Sequence, residues 1–143
     1  MFTGEYQHAI DNKGRVIIPS RFRDELGTSF MVTKGLEDCL FVYSFEEWKN
    51  ASAQIRQLSF TKSDARSFSR IFFSGACEVE LDKQGRILLP ANLRLYAGLD
   101  KDIYIIGVMS RVEIWDKEKW LSYSEATAAA YGDIAERIND LDF

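Results

Sequence analysis

The chain has 143 residues, 46% of them hydrophobic, enough for one compact core or two very small ones. Its formal net charge of −4, taken alone, argues against a nucleic-acid partner. No apolar run approaches the ~20 residues of a membrane span, no basic-then-apolar leader opens the chain, and His8 is the only histidine, so a cytoplasmic protein without a histidine metal site is expected.

The elements predicted along the chain occur twice. A strand over residues 6–10 leads into Asp11-Asn12-Lys13-Gly14-Arg15-Val16-Ile17-Ile18-Pro19. The phrase returns as Asp82-Lys83-Gln84-Gly85-Arg86-Ile87-Leu88-Leu89-Pro90, after a strand over residues 77–81 in which Cys77, Val79 and Leu81 alternate with Glu78 and Glu80. Asp11 and Asp82 stand 71 residues apart (82 − 11), and the offset holds through Phe22/Leu93, Arg23/Arg94 and Gly27/Gly98. After one insertion it becomes 72 and carries on through Gly35/Gly107, Val42/Ile114, Tyr43/Trp115 and Trp48/Trp120. A repeat of this span governs the fold.

Within each copy, Asp-x-x-Gly suits a tight turn, because the aspartate can bond the backbone ahead of it and the glycine takes positive φ cheaply. Strands over 16–18 and 87–89 follow, apolar on both faces and expected to be buried on both, which makes each unit a hairpin with a charged tip. Pro19 and Pro90, the only prolines, suit the first position of short helices that Gly27 and Gly98 would end. Strand pairs over 30–33 with 40–43, and 103–106 with 112–115, come next. A longer helix closes each unit, opened by a Ser44/Glu47 capping box in the first and by Asp116 in the second.

Residues 61–75 read as a connecting helix with Ser63 as a cap, and the segment after Trp120 continues helical, rich in alanine and then acidic. The boundaries are therefore a first repeat over 1–60, a connecting helix over 61–75, a second repeat over 76–131 and an acidic tail over 132–143. Neither half is large enough to bury its strands well alone, so the two hairpins are expected to interleave about a pseudo-twofold axis in one small barrel-like sheet. The fold class is α+β. Cys39 and Cys77 lie in apolar runs without CxxC spacing and read as buried free thiols.

Charge is unevenly spread. Residues 113–143 hold eight acidic and three basic side chains, whereas Lys13, Arg15, Arg21 and Arg23 face only Asp11, and Lys83, Arg86 and Arg94 face only Asp82. For any single lysine, a solvated surface position is the ordinary reading. Trp48 and Trp120 read as core or interface anchors, and His8, in phase with Tyr6 and Ile10, as a packed or hydrogen-bonded residue.

The Asp-x-x-Gly-Arg-(Val/Ile)-x-(Ile/Leu)-Pro phrase resembles the signature of AbrB-type swapped-hairpin DNA-binding domains. Its duplication, with the opening Phe2-x-Gly4-Glu5-Tyr6-Gln7-His8-Ala9-Ile10 and with Gly35, Trp48 and Trp120, resembles the MraZ family. That resemblance implies a pseudo-twofold swapped-hairpin β-barrel with flanking helices. It further implies a nucleoid-associated transcriptional regulator, a repressor that assembles into a homo-oligomeric ring and binds repeated operator boxes in double-stranded DNA upstream of the division and cell-wall gene cluster. No cofactor, membrane or small-molecule substrate is implied.

The family's Asp-x-x-x-Arg motif falls on Asp11 to Arg15 and on Asp82 to Arg86, with Lys13 and Lys83 as phosphate contacts. Physically, an arginine at a hairpin tip offers a planar fork to guanine or phosphate, and β-ribbons enter the major groove. The plainer reading is that each Asp and Arg pair across the turn, and both can hold together. Two other classes compete: an enzyme, for which the chain offers no P-loop, GxGxxG, GxSxG or HExxH, and a ring-forming scaffold that binds protein partners.

Overall fold

The computed structural model describes residues 1–143. In chain order the elements are β1 (Glu5–Ala9), β2 (Arg15–Ile17), α1 (Ser20–Leu26), β3 (Ser29–Lys34), β4 (Leu40–Tyr43), α2 (Phe45–Arg56) and α3 (Ser63–Ser74). The second copy supplies β5 (Cys77–Glu80), β6 (Arg86–Leu88), α4 (Ala91–Ala97), β7 (Asp102–Val108), β8 (Arg111–Asp116), α5 (Lys117–Ala129) and α6 (Tyr131–Arg137). The α+β class and the order of elements match the sequence reading.

The strand order is β1-β7-β8-β4-β3-β5, with β2 and β6 paired as a separate ribbon. Exchanging β1 with β5, β3 with β7 and β4 with β8 reproduces the same order read backwards, which is what a pseudo-twofold axis requires. The register agrees: Leu40 faces Ile114 as Val112 faces Val42, and Arg15 faces Leu88 as Arg86 faces Ile17. The axis therefore passes through the Val16/Ile87 and Phe41/Glu113 pairs.

Each copy lends its first strand to the other. β1 pairs with β7 from Glu5↔Ile106 to Ala9↔Asp102, and β5 pairs with β3 from Ser29↔Glu80 to Val32↔Cys77. The hairpin expected from the sequence is not formed as a ladder. β1 and β2 share only the Ile10↔Val16 bridge, while β1 forms its ladder with β7 and β2 forms its ladder with β6. The long sheet ends at β1 and β5, and the β2–β6 ribbon joins those two edges through the Asp-x-x-Gly turns, so the enclosure is completed by chain connection rather than by a continuous ladder.

Burial follows the exchange. One cluster of 19 buried residues takes Val16, Ile18, Phe22 and Val32 from the first copy and Ile87, Leu89, Leu93 and Ile103 from the second. A smaller aromatic cluster on the sheet's other face joins Phe41, Tyr43, Phe72, Ile106 and Trp115 to Trp48 and Trp120. Glu113 is buried there but not orphaned, since its carboxylate accepts from Arg111 Nε at 2.8 Å and from Trp115 Nε1 at 3.0 Å. α3 is latched to the sheet by Thr33 Oγ1 donating to the Phe72 carbonyl at 2.6 Å, and to α2 by Phe72 stacking on Trp48.

Local expectations hold unevenly. Ser44 Oγ accepts from Glu47 N at 3.2 Å and Asp116 from Lys119 N at 3.1 Å, so both caps form, although the Glu47 carboxylate accepts from the Asn50 amide rather than completing a box. Pro19 and Pro90 have extended ψ of 135° and 148° and stand just before their helices, not inside them. Ser63 does not cap α3; Lys62 occupies that place without a side-chain bond. The ribbon is not buried on both faces. Val16 and Ile87 point inward, while Ile17 and Leu88 are 42% and 59% exposed. Cys39 is buried and free, and Cys77, at the sheet edge, is free but only half-buried.

Because every first strand is satisfied only by the other copy, residues 1–75 expressed alone should not fold as a monomer. Far-ultraviolet circular dichroism is expected to show a largely unstructured chain, or light scattering a dimer in which two first copies exchange strands. Mixing with residues 76–143 should restore native-like dichroism.

Candidate nucleic-acid interface

The two Asp-x-x-Gly-Arg turns are built alike to within 0.2 Å in every bond that defines them. In the first, Asp11 N donates to Arg15 O at 3.0 Å and Gly14 N to Asp11 O at 3.0 Å; in the second, Asp82 N donates to Arg86 O at 2.8 Å and Gly85 N to Asp82 O at 3.0 Å. Asp11 Oδ1 accepts from Lys13 N and Arg15 N, both at 2.9 Å, as Asp82 Oδ1 accepts from Gln84 N and Arg86 N at the same distance. The second oxygens take Arg15 Nε at 2.7 Å and Arg86 Nε at 2.8 Å.

Each aspartate thus ties down the turn backbone with one oxygen and an arginine with the other. Arg15 and Arg86 spend only Nε in this way, so Nη1 and Nη2 of both guanidinium groups have no protein partner. Pairing across the turn and presenting a fork are therefore compatible. The Arg15 amide, foremost among several donors, holds the Asp11 carboxyl down at about 2, and the Arg86 amide lowers Asp82 in the same sense. Both acids stay charged throughout the neutral range.

Both arginines lie on the outer face of the β2–β6 ribbon, opposite the face that buries Val16 and Ile87. They occupy diagonal corners, Arg15 across from Leu88 and Arg86 across from Ile17. With strands ~4.8 Å apart and ~3.3 Å per residue, their Cα atoms stand roughly 8 Å from each other. The strands are antiparallel, so the two turns sit at opposite ends of the ribbon.

Lys13 and Lys83 are exposed in their turns and form no ion pair. They are not equivalent. The Lys13 amide bonds Asp11 where Gln84 bonds Asp82, so Lys83 stands instead at the position of Asn12.

Two further arginines shape the site in a way the linear sequence did not disclose. Arg23 Nε donates to the Ile18 carbonyl at 2.8 Å and its guanidinium lies over Gly85; Arg94 Nη1 donates to the Leu89 carbonyl at 2.6 Å and lies over Gly14. Each short helix therefore buttresses the turn of the other copy. Gly14 and Gly85 have φ of +83° and +76°, which favours glycine, and a Cβ at either would displace the guanidinium that lies over it. The signal was present only as a coincidence, since Arg23/Arg94 and Gly14/Gly85 share the repeat offset. Arg21 projects from α1 without a partner among the structure's bonds and is exposed. His8 is half-buried; its pKa is lowered by burial and then by nearby Arg23, both of which favour the neutral imidazole.

A family model described as MraZ protein, putative antitoxin-like, matches residues 1–71 and again residues 72–141. The chain belongs to the MraZ family. The seam between the two matches reproduces the repeat offset and falls inside α3. The Transcriptional regulator MraZ of Acetivibrio thermocellus is 62% identical over 138 residues, covering 96% of each chain. That of Thermoanaerobacter sp. strain X514 is 58% identical over 141 residues, covering 99% of each, and that of Natranaerobius thermophilus is 58% identical over 142 residues with the same coverage. MraZ proteins are transcriptional regulators, not enzymes.

The depressed carboxyl values give a pH expectation. A carboxylate held below its unfolded value near 4 contributes fully above that value, and the contribution is lost as pH falls through the folded one. The Asp11–Arg15 tie should therefore persist from neutral pH to below pH 4 and release near pH 2. Carboxyl-carbon NMR is expected to show Asp11 titrating at about 2, with the Arg15 Nε–H resonance moving in step. A midpoint near 4 would mean the tie is not made in solution.

Proposed function

We propose that this chain is a DNA-binding repressor that reads repeated operator boxes through Arg15 and Arg86, held by Asp11 and Asp82, while Lys13 and Lys83 contact phosphate. The observation that carries the reading is the pair of guanidinium groups fixed through Nε with both terminal nitrogens left open on one ribbon face. Those two nitrogens are the pair that a guanine O6/N7 edge takes bidentately. The ribbon is two strands wide, and two-stranded ribbons fit the B-DNA major groove. Local charge supports the same partner despite the acidic total, with Lys13, Arg15, Arg23, Lys83, Arg86 and Arg94 clustered against Asp11 and Asp82.

One chain offers two forks and a few cations, too little for strong operator binding at physiological salt. A homo-oligomeric ring, the assembly implied by the family resemblance, repeats the forks and makes weak contacts additive through avidity. Neighbouring chains would then engage boxes about one helical turn, ~10 bp, apart on the upstream region of the division and cell-wall cluster. Association with the nucleoid follows from that reading.

Arg15→Ala with Arg86→Ala should leave dichroism and assembly mass unchanged while removing preference for the operator, since each base-reading arginine is worth ~1–3 kcal/mol and its removal recurs in every chain. Gel shifts with operator and scrambled duplexes decide it; retained preference would reject the ribbon as the reading surface and favour a protein-binding scaffold. Lys13→Ala or Lys83→Ala should instead weaken both duplexes alike and reduce the slope of log affinity against log salt by about 1 for each phosphate no longer neutralised.

A further inference from the structure

Two exposed regions that the DNA-binding reading does not use have opposite charge and matching apolar character. The first is a groove where α2 gives way to α3, lined by Ile55, Leu58, Phe60, Arg56, Arg66 and Arg70. Phe60 is 83% exposed and Leu58 47%. Residues 55–70 carry Arg56, Lys62, Arg66 and Arg70 against the single acid Asp64, and none of these cations pairs with a carboxylate. Arg66 Nη1 donates to the Phe60 carbonyl at 3.1 Å, which ties the loop between the helices to α3.

The second region is the end of the chain. Residues 131–143 carry Asp133, Glu136, Asp140 and Asp142 against Arg137 alone, again without an ion pair. Ile138, Leu141 and Phe143 are all exposed, and Phe143 wholly so. An acidic segment that keeps Ile138, Leu141 and Phe143 in water has more apolar surface than a purely solvating segment needs.

We propose that the C-terminal segment of one chain docks in the α2–α3 groove of a second copy, with Ile138, Leu141 and Phe143 against Ile55, Leu58 and Phe60, and the acids among Arg56, Arg66 and Arg70. Charge complementarity selects the occupant. The groove is basic around an apolar floor, the tail is acidic around apolar side chains, and within a single chain neither finds the other. α5 packs on β7 and β8, in one half of the strand order, while α2 and α3 pack on β3 and β4 in the other. The donor surface and the acceptor surface differ, so the contact is heterologous and runs head to tail, the kind of contact from which closed rings are made. This inference rests on the ring assembly proposed above and names the segment that would link its members.

The test uses full-length chains and reads assembly mass by native mass spectrometry at micromolar concentration. Arg56→Glu with Arg70→Glu reverses two exposed cations that make no bond within the protein. Asp140→Lys with Asp142→Lys alters residues beyond the last helix, where folding is not at stake. Each pair is expected to raise the dissociation constant between chains about tenfold or more, since each reverses two charges that steer and fix the docking. Combining all four should restore the mass of the parent assembly. If the parent is an oligomer and both reversed proteins keep its mass and its resistance to dilution, tail docking is wrong while the ring stands. If the parent is itself a monomer, the ring reading falls and this inference with it.

Discussion

A strand edge is a row of unpaired backbone donors and acceptors, and in this molecule neither copy of the repeat can cover its own. β1 finds its ladder on β7 and β5 finds its ladder on β3, so the hydrogen bonding of each half is completed by the other. Much else follows from that exchange. Once the first strands have crossed, the short strands after the turns are carried to the axis and can pair only with each other, as the β2–β6 ribbon. The ribbon buries Val16 and Ile87 beneath it and turns Arg15 and Arg86 outward above it. The arginine forks are thus held by the core of the whole chain rather than by a free loop.

Rigidity at the turns has a second source that also crosses the axis. Arg23 and Arg94 bond carbonyls in their own copy while their guanidinium planes lie against the glycine of the other copy's turn. The aspartates add three accepted bonds per turn. A side chain prepared in this way loses little freedom when it meets a partner, and preorganisation of that kind is what lets a small number of contacts discriminate.

Much of the architecture was legible because it is written twice. The spacing of Asp11/Asp82, Pro19/Pro90 and Trp48/Trp120 sets the order of elements, and alternation in Cys77-Glu78-Val79-Glu80 identifies a strand without help from tertiary structure. What failed were inferences that needed a partner's position. Three apolar residues in a row, Val16-Ile17-Ile18, do not reveal that Ile17 faces water, because only the pairing with β6 decides which side is covered. A turn motif between two strands suggests a hairpin, yet β1 and β2 form their ladders with β7 and β6 and meet each other only at Ile10↔Val16. The Asp–Arg ties were readable from the motif, whereas the buttressing by Arg23 and Arg94 was not, since it joins residues 62 and 80 positions apart (85 − 23 and 94 − 14).

A dimer of identical single-repeat chains is bound to present two identical halves. Joining the copies covalently through α3 releases them from that obligation, and they have already drifted apart: lysine stands third in one turn and second in the other, and only in the first copy does a second helix, α3, bond to the sheet beside the one that packs on its aromatic residues. A surface with a near-dyad but unequal ends has a direction. Any partner that is itself unequal end to end would be held on such a surface one way round in preference to the other.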